Sequence, residues 1–159
     1  MDEYVNPARV QNKWPNDVQI DGCKVAGLLL ESSGDKNGNV EWVVIGCGVN
    51  IALHPNFTNY DTTSLNEAAG IEIDIKEFMY TFLDRFETRY NIWNKLGVES
   101  ICNDWMKRAI NIGQEIVVRL PQNDIKGIFE GLDPSGALIL ARKGGVRELI
   151  TAGEIFAER

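Results

Sequence analysis

The 159-residue sequence holds one histidine, His54, and three cysteines, Cys23, Cys47 and Cys102, none of them in a C-x-x-C pair. That scarcity leaves no ligand set with zinc spacing and no disulfide framework, so the thiols read as reduced. Cys47 sits in an apolar run and reads as a small core residue. Positive charge is also short: 16 Lys and Arg against 23 Asp and Glu give a net charge of −7. Such a field repels a phosphate backbone, and nucleic acid is not an expected partner. No apolar run approaches the roughly 20 residues that span a bilayer; the longest is strand-sized, near 25–30. No membrane partner is expected. The first residues, with Asp2 and Glu3 among them, have neither the basic nor the apolar region of a secretory signal. A cytoplasmic location is the resulting expectation. Internal repeats and low-complexity segments are missing too.

What is present is ordinary in amount and informative in order. With 44% hydrophobic and 25% charged residues the chain matches soluble globular proteins. Its length suits one domain, or a domain fragment with a small barrel. Residues 18–50 alternate as β structure: 18–20, a turn at Asp21-Gly22, 24–31, a polar turn at 33–39, then 41–50. Asp-Gly between extended runs signals a hairpin, so the Lys24 strand should pair antiparallel with 18–20 on one side and with the Trp42 strand on the other. Residues 52–63 lack periodicity and read as a surface loop.

Helices follow. Ser64 with Glu67 three residues on fits a capping box for a short helix ending near Gly70. Asp74 can cap a longer one in which Ile75, Phe78, Met79, Phe82, Leu83, Phe86, Tyr90 and Trp93 recur at the helical period. That stripe is expected to be core, packed on a sheet, with Gly97 ending the helix. A third helix is expected over 98–108, with Ile101, Trp105 and Ala109 inward. The pattern changes at Asn111-Ile112-Gly113: 114–120, 124–132, 137–142 and 146–151 are short strands parted by Pro121-Gln122-Asn123, Asp133-Pro134-Ser135-Gly136 and Lys143-Gly144-Gly145. Four or five short strands in about fifty residues suggest a small barrel. A division at 1–110 and 111–159 follows.

Chemistry-bearing residues gather around the hairpin. In Lys13-Trp14-Pro15-Asn16-Asp17, proline fixes its own φ and extends its predecessor, aiming the amide and carboxylate reproducibly. An amide donates to phosphate oxygens, and a carboxylate suits Mg²⁺, which takes few carboxylates plus phosphate and water. The blander reading is an Asn-Asp turn beside a surface lysine. In Lys24-Val25-Ala26-Gly27, strict alternation sets Lys24 and Ala26 on one face, with Val25, Gly27 and Leu29 on the other, giving the amine open space; the blander reading is a solvated lysine at a hairpin edge. In Gly46-Cys47-Gly48-Val49-Asn50, the glycines and Asn50 share a face, a flat slot with a polar end that suits a planar base. Glycines in strands also mark bulges or close packing. No helix opens after Gly48, so this is not a dinucleotide fingerprint.

These three motifs together resemble the central catalytic domain of the biotin protein ligases. The run Gly-Ile-Phe-Glu-Gly-Leu-Asp-Pro-Ser-Gly-Ala-Leu, 127–138, resembles their SH3-like C-terminal domain. The likeness extends over the whole chain. It implies an α/β (α+β) fold: a mixed sheet packed with helices, part of a ligase domain like that of class II aminoacyl-tRNA synthetases, followed by an SH3-like barrel. It implies ATP-dependent formation of biotinyl-5′-AMP and transfer of biotin to a lysine of a biotin carboxyl carrier protein. Lys24 would be the catalytic cation on the biotin carboxyl and the α-phosphate, with Ala26 and Gly27 in the biotin site. Lys13, Asn16 and Asp17 would serve the nucleotide, Asp17 its Mg²⁺, and Gly46, Gly48 and Asn50 the adenine.

The sequence also departs from the family. Relatives carry a Gly/Arg-rich biotin loop and ureido-binding strands well before K-W-P-N-D, and residues 1–12 hold neither. The comparable run at 141–147 falls between barrel strands and reads as a hairpin turn. A DNA-binding segment, present in some relatives, is equally missing from these residues. The expectation is therefore the C-terminal half of a ligase, weak or inactive alone. A non-catalytic carrier-docking or self-association module is one alternative, since an unpaired edge of a half-sheet invites a homodimer; a lipoyl or octanoyl transfer enzyme is another.

Overall fold

In the computed structural model, which describes residues 1–121 and 123–157, Asp21 and Gly22 take positive φ, 51° and 83°. A two-residue hairpin needs that geometry, and it folds β2 (Asp17–Ile20) back on β3 (Cys23–Gly34). β4 (Val40–Val49) pairs antiparallel with β3 after a turn in which Asp35 Oδ1 accepts from the Asn37 and Asn39 N–H groups. Those bonds, with the Asn39 side chain foremost, hold the Asp35 carboxyl below its ordinary pKa. By internal packing the chain forms two compact units, Met1–Val10 with Asn16–Ile73 and Gln11–Pro15 with Asp74–Arg159.

The first unit packs Ile20, Val25 and Leu65 out of solvent. Helix α1 (Leu65–Ala69) starts at Ser64, whose Oγ accepts from the Glu67 N–H at 3.2 Å, and stops at Gly70 with φ 71°, as its sequence predicts. β4 is different. Val43, Val44 and Ile45 are 49%, 55% and 43% exposed, so both of its faces meet solvent. Cys47 is exposed as well, which corrects its reading as a core residue: an apolar strand buries its small side chains only where another layer covers it.

The second unit takes residues 11–13 of β1 (Val10–Lys13), a strand the sequence did not reveal; the Asn12 N–H donates to Arg108 O at 2.8 Å and the Ile110 N–H to Asn12 O at 3.0 Å. Helix α2 (Ile75–Leu96) is capped by Asp74 and ends at Gly97; α3 (Val98–Met106) follows, tied to α2 by an ion pair between Arg89 and Asp104. The apolar stripe of α2 is not core. Only Phe78 is buried; Phe82, Phe86 and Tyr90 stack in series and Tyr90 meets Trp93 edge-on, at centroid distances of 5.7 to 6.4 Å, and all four stay 36% to 48% exposed. The helical period is real, but no layer covers the stripe among the described residues.

The barrel closes the second unit: β5 (Glu115–Arg119), β6 (Asp124–Leu132), β7 (Leu138–Ala141), β8 (Arg147–Ile150) and β9 (Glu154–Ala157), in the antiparallel order β8-β7-β6-β5-β9. β6 alternates buried and exposed along its length. Its inward residues meet Ile116, Val118, Leu138, Leu140 and Ile155 in a core that also takes Trp14 and is backed by Trp105 of α3. Of the turn expected at Pro121-Gln122-Asn123, Gln122 lies outside the described residues, as do Glu158 and Arg159. Cys102 on α3 is a free thiol that burial, with Asp133 and Glu99 nearby, pushes above its ordinary pKa. No helix among the described residues is long and apolar enough to cross a membrane.

Candidate functional site

The hairpin turn brings Lys24 back toward Asp17, and their side chains meet with Nζ 2.6 Å from Oδ1, 27% and 17% exposed. A register irregularity makes this possible. Asp17 pairs with Gly27 and Val18 with Ala26, but Gln19 pairs with Lys24, leaving Val25 as an extra residue on β3. That is a β-bulge. It breaks the alternation that the sequence suggests: Val25 and Ala26 are both buried, and Lys24 shares its face with Gly27. The open space before the amine comes from Gly27, not Ala26. A Cβ on Gly27 would lie 3.2 Å from Asp17 Oδ1 and 3.3 Å from Lys24 Nζ, so this glycine is the floor of the ion pair.

The same floor continues across the sheet. Gly27 pairs with Gly48, and Leu29 with Gly46. A Cβ on Gly48 would meet nothing closer than Gly27 O at 3.7 Å, and one on Gly46 nothing closer than Leu29 O at 3.5 Å. Two bare glycines therefore lie beside the Lys24–Asp17 pair on one open sheet face. Asn50 closes the strand end: its N–H donates to Val25 O at 2.9 Å and its side-chain amide to Thr63 O at 3.1 Å, leaving the carboxamide oxygen to accept from an amino group.

Asn16 is anchored differently. Its side-chain amide donates to Leu28 O and its backbone carbonyl accepts from the Leu28 N–H at 3.0 Å, so one side-chain hydrogen is spent on β3. Lys24 is pinned through its backbone as well: its N–H donates to Asp61 O at 2.8 Å, and its ammonium lies 5.3 Å from the centre of the Tyr60 ring. Nothing in the order of residues signals this second contact, since the loop 52–63 carries no periodicity. No group of three or more His, Cys, Asp or Glu among the described residues could hold a metal ion. Asp17 offers one carboxylate, and it is already shared with Lys24.

In the other unit, Lys13 is 14% exposed, lies 4.0 Å from Glu154 and stands 5.1 Å from the centre of the Phe156 ring, which also takes Arg119 at 4.4 Å. Lys13 is thus not the solvated surface charge of the blander reading. Trp14 beside it is buried in the barrel core, and the Trp14-Pro15 peptide is cis.

Residues 1–50 match the biotin/lipoate A/B protein ligase family and residues 112–157 the biotin protein ligase C-terminal domain. A biotin–[acetyl-CoA-carboxylase] ligase of Paracoccus denitrificans is 40% identical over 154 residues, 94% of this chain and 63% of that protein. The chain belongs to the biotin protein ligase family. The bifunctional ligase/repressor BirA of Bacillus subtilis is 33% identical over 88% of the chain and 44% of its own length. The apo biotin protein ligase of Aquifex aeolicus superposes with a TM-score of 0.78 at 26% identity, over 94% of this chain and 65% of that one. The chain spans between about two fifths and two thirds of the relatives it matches. The ligase family accounts for the α+β architecture and for the SH3-like barrel.

Proposed function

We propose that the Lys24 face activates biotin for transfer to protein. Making biotinyl-5′-AMP joins two anions: a carboxylate oxygen of biotin bonds to the α-phosphorus of ATP while the bond to pyrophosphate breaks. A cation fixed beside both groups lowers the cost of their approach and of the charge that shifts onto the phosphorus oxygens. Lys24 is that cation in this reading. Asp17 holds the amine in place through the 2.6 Å contact, and the backbone at Gly27 and Gly48 lets a substrate approach closely. The carrier's lysine amine then attacks the acyl carbon and AMP leaves.

The other roles follow. Ala26 and Gly27 border the biotin carboxyl; Gly46 and Gly48 take the flat face of adenine, with the Asn50 carboxamide at its edge. Asn16 and Lys13 belong to the nucleotide in this assignment, and Mg²⁺ enters with ATP near Asp17. The biotin carboxyl carrier protein is the acceptor, the cytoplasm the location, and 1–110 and 111–159 the functional division. The single observation that carries this reading is the Lys24–Asp17 pair over Gly27, beside Gly48 on the same face.

Residues 1–159 alone are expected to turn over slowly, because no Gly/Arg-rich run precedes Lys13 within them. Incorporation of labelled biotin into a carrier domain tests both parts. The expected result is a rate far below that of a full-length family enzyme, falling by about two to three orders of magnitude more in Lys24→Ala. A rate equal to the full-length enzyme contradicts the first part, and an unaffected Lys24→Ala the second. A second reading, a carrier-docking module, is favoured by the buried core of the barrel and, separately, by the exposed faces of β4. Carrier capture that survives Lys24→Ala and needs no ATP would support it. Homodimerisation through an exposed sheet edge belongs with that reading and is checked by sedimentation at high concentration. Lipoate as the substrate is disfavoured, because the match at 112–157 is to the biotin ligase domain.

A further inference from the structure

The loop between β4 and α1 is held by polar side chains that the adenylation chemistry does not use. Thr62 Oγ1 donates to Pro55 O at 2.6 Å, which spends its one hydrogen. His54 Nδ1 lies 2.9 Å from that hydroxyl oxygen, so the ring nitrogen is the donor. His54 Nε2 faces Glu67 Oε2 at 3.0 Å on the other side of the ring. The ring is thus gripped between a hydroxyl and a carboxylate. Thr63 Oγ1 reaches the same Glu67 oxygen at 3.2 Å.

The grip acts on a particular stretch of backbone. Thr62 and Lys24 form a parallel bridge: the Lys24 N–H donates to Asp61 O at 2.8 Å and the Thr63 N–H to Lys24 O at 3.0 Å. Asn50 adds its side-chain amide on Thr63 O. Whatever holds Thr62 and Thr63 therefore also holds the backbone that carries the Lys24 amine. We propose that His54 is a positioning residue, which with Glu67 locks 61–63 against Lys24 as a short added strand and so fixes where the amine stands. This rests on the role given to Lys24 above. Glu67 is 64% exposed, so its charge alone contributes little; the hold comes from several hydrogen bonds converging on one segment.

Hydrogen exchange on the whole chain, together with titration of a non-hydrolysable biotinyl-adenylate analogue, tests the proposal. The Lys24 and Thr63 amides should exchange on the order of three- to ten-fold faster in His54→Ala and in Glu67→Ala, the size of one ordinary lost hydrogen bond. The double variant should exchange no faster than the more severe single one, and amides of β6 should not change. The analogue should bind weaker by a similar factor in His54→Ala, and that loss should vanish when Lys24 is already alanine. Thr62→Val removes the shared hydroxyl and repeats the test if His54→Ala does not fold. Unchanged exchange at Lys24 and Thr63 overturns the clasp. Faster exchange with unchanged affinity overturns its effect on the site, and so does a His54→Ala loss that persists without Lys24. A parent chain that does not bind the analogue overturns the reading of Lys24, and the positioning role falls with it, while exchange still judges the clasp by itself.

Discussion

The barrel strands and β4 are both apolar, yet the barrel is dry inside and β4 is wet on both faces. Along β6 every second residue is buried, and Ile116, Phe129, Leu138 and Ile155 have no exposed surface. Along β4, Val40, Trp42, Val43 and Val44 are each about half exposed or more. The difference lies in where each strand's partner layer comes from. Five short strands can cover their own inner face, whereas a long hairpin, like the aromatic stripe on α2, needs a separate layer. Apolar patterning reports that a face is suited to burial; it does not report what buries it.

The comparison is broken most strongly by cutting into each region. Phe129→Ala should cost about 3–5 kcal/mol, as truncation of a fully buried aromatic does, whereas Phe86→Ala on the half-exposed stripe should cost less than about 1 kcal/mol. Urea unfolding followed by circular dichroism measures both, and equal losses would mean that the stripe is covered in solution. Gly127→Val comes next. A Cβ there would meet Ala141 O at 2.6 Å and Leu140 Cγ at 2.8 Å, so a loss of about 1–3 kcal/mol is expected; Gly46→Ala, with nothing nearer than 3.5 Å, should change stability by less than about 0.5 kcal/mol.

The smallest effect is a pH dependence shared by both regions. Asp35 in the β3–β4 turn and Asp133 in the β6–β7 turn both sit below the ordinary carboxylate pKa, Asp133 chiefly because the Ser135 side chain donates to it. A depressed folded pKa gives stability that is present above the unfolded value and is lost as pH falls through the folded one. Stability should therefore drop below about pH 4, and less steeply in Asp35→Asn or Asp133→Asn. An unchanged acid limb in both variants would show that neither turn contributes.

The local signals in the sequence were strong where one residue decides one conformation. Asp21-Gly22 gave the hairpin, Ser64 with Glu67 and Asp74 gave two helix starts, and the spacing of Gly and Pro turns gave four of the five barrel strands. Lys24 and Asp17 were legible as chemistry, but not as a pair. Their meeting depends on the bulge at Val25, which is set by pairing across the hairpin rather than by any residue in β3. β1 was missed because four residues are too few to show a period, and the two bonds of Asn12 to residues 108 and 110 reach nearly a hundred positions away. His54 stood out as the only histidine, but Glu67 lies thirteen residues on, across a loop without periodicity, and nothing in the sequence joins them.

The most direct test of the account is calorimetric titration of the chain with a non-hydrolysable biotinyl-adenylate analogue, run beside Lys24→Ala with folding checked in both. Affinity for the analogue that falls at least about ten-fold in the variant is the predicted result, the size of one lost charge-assisted contact to an anion. Equal affinity in the two chains would contradict the claim that Lys24 is the cation around which this face is built.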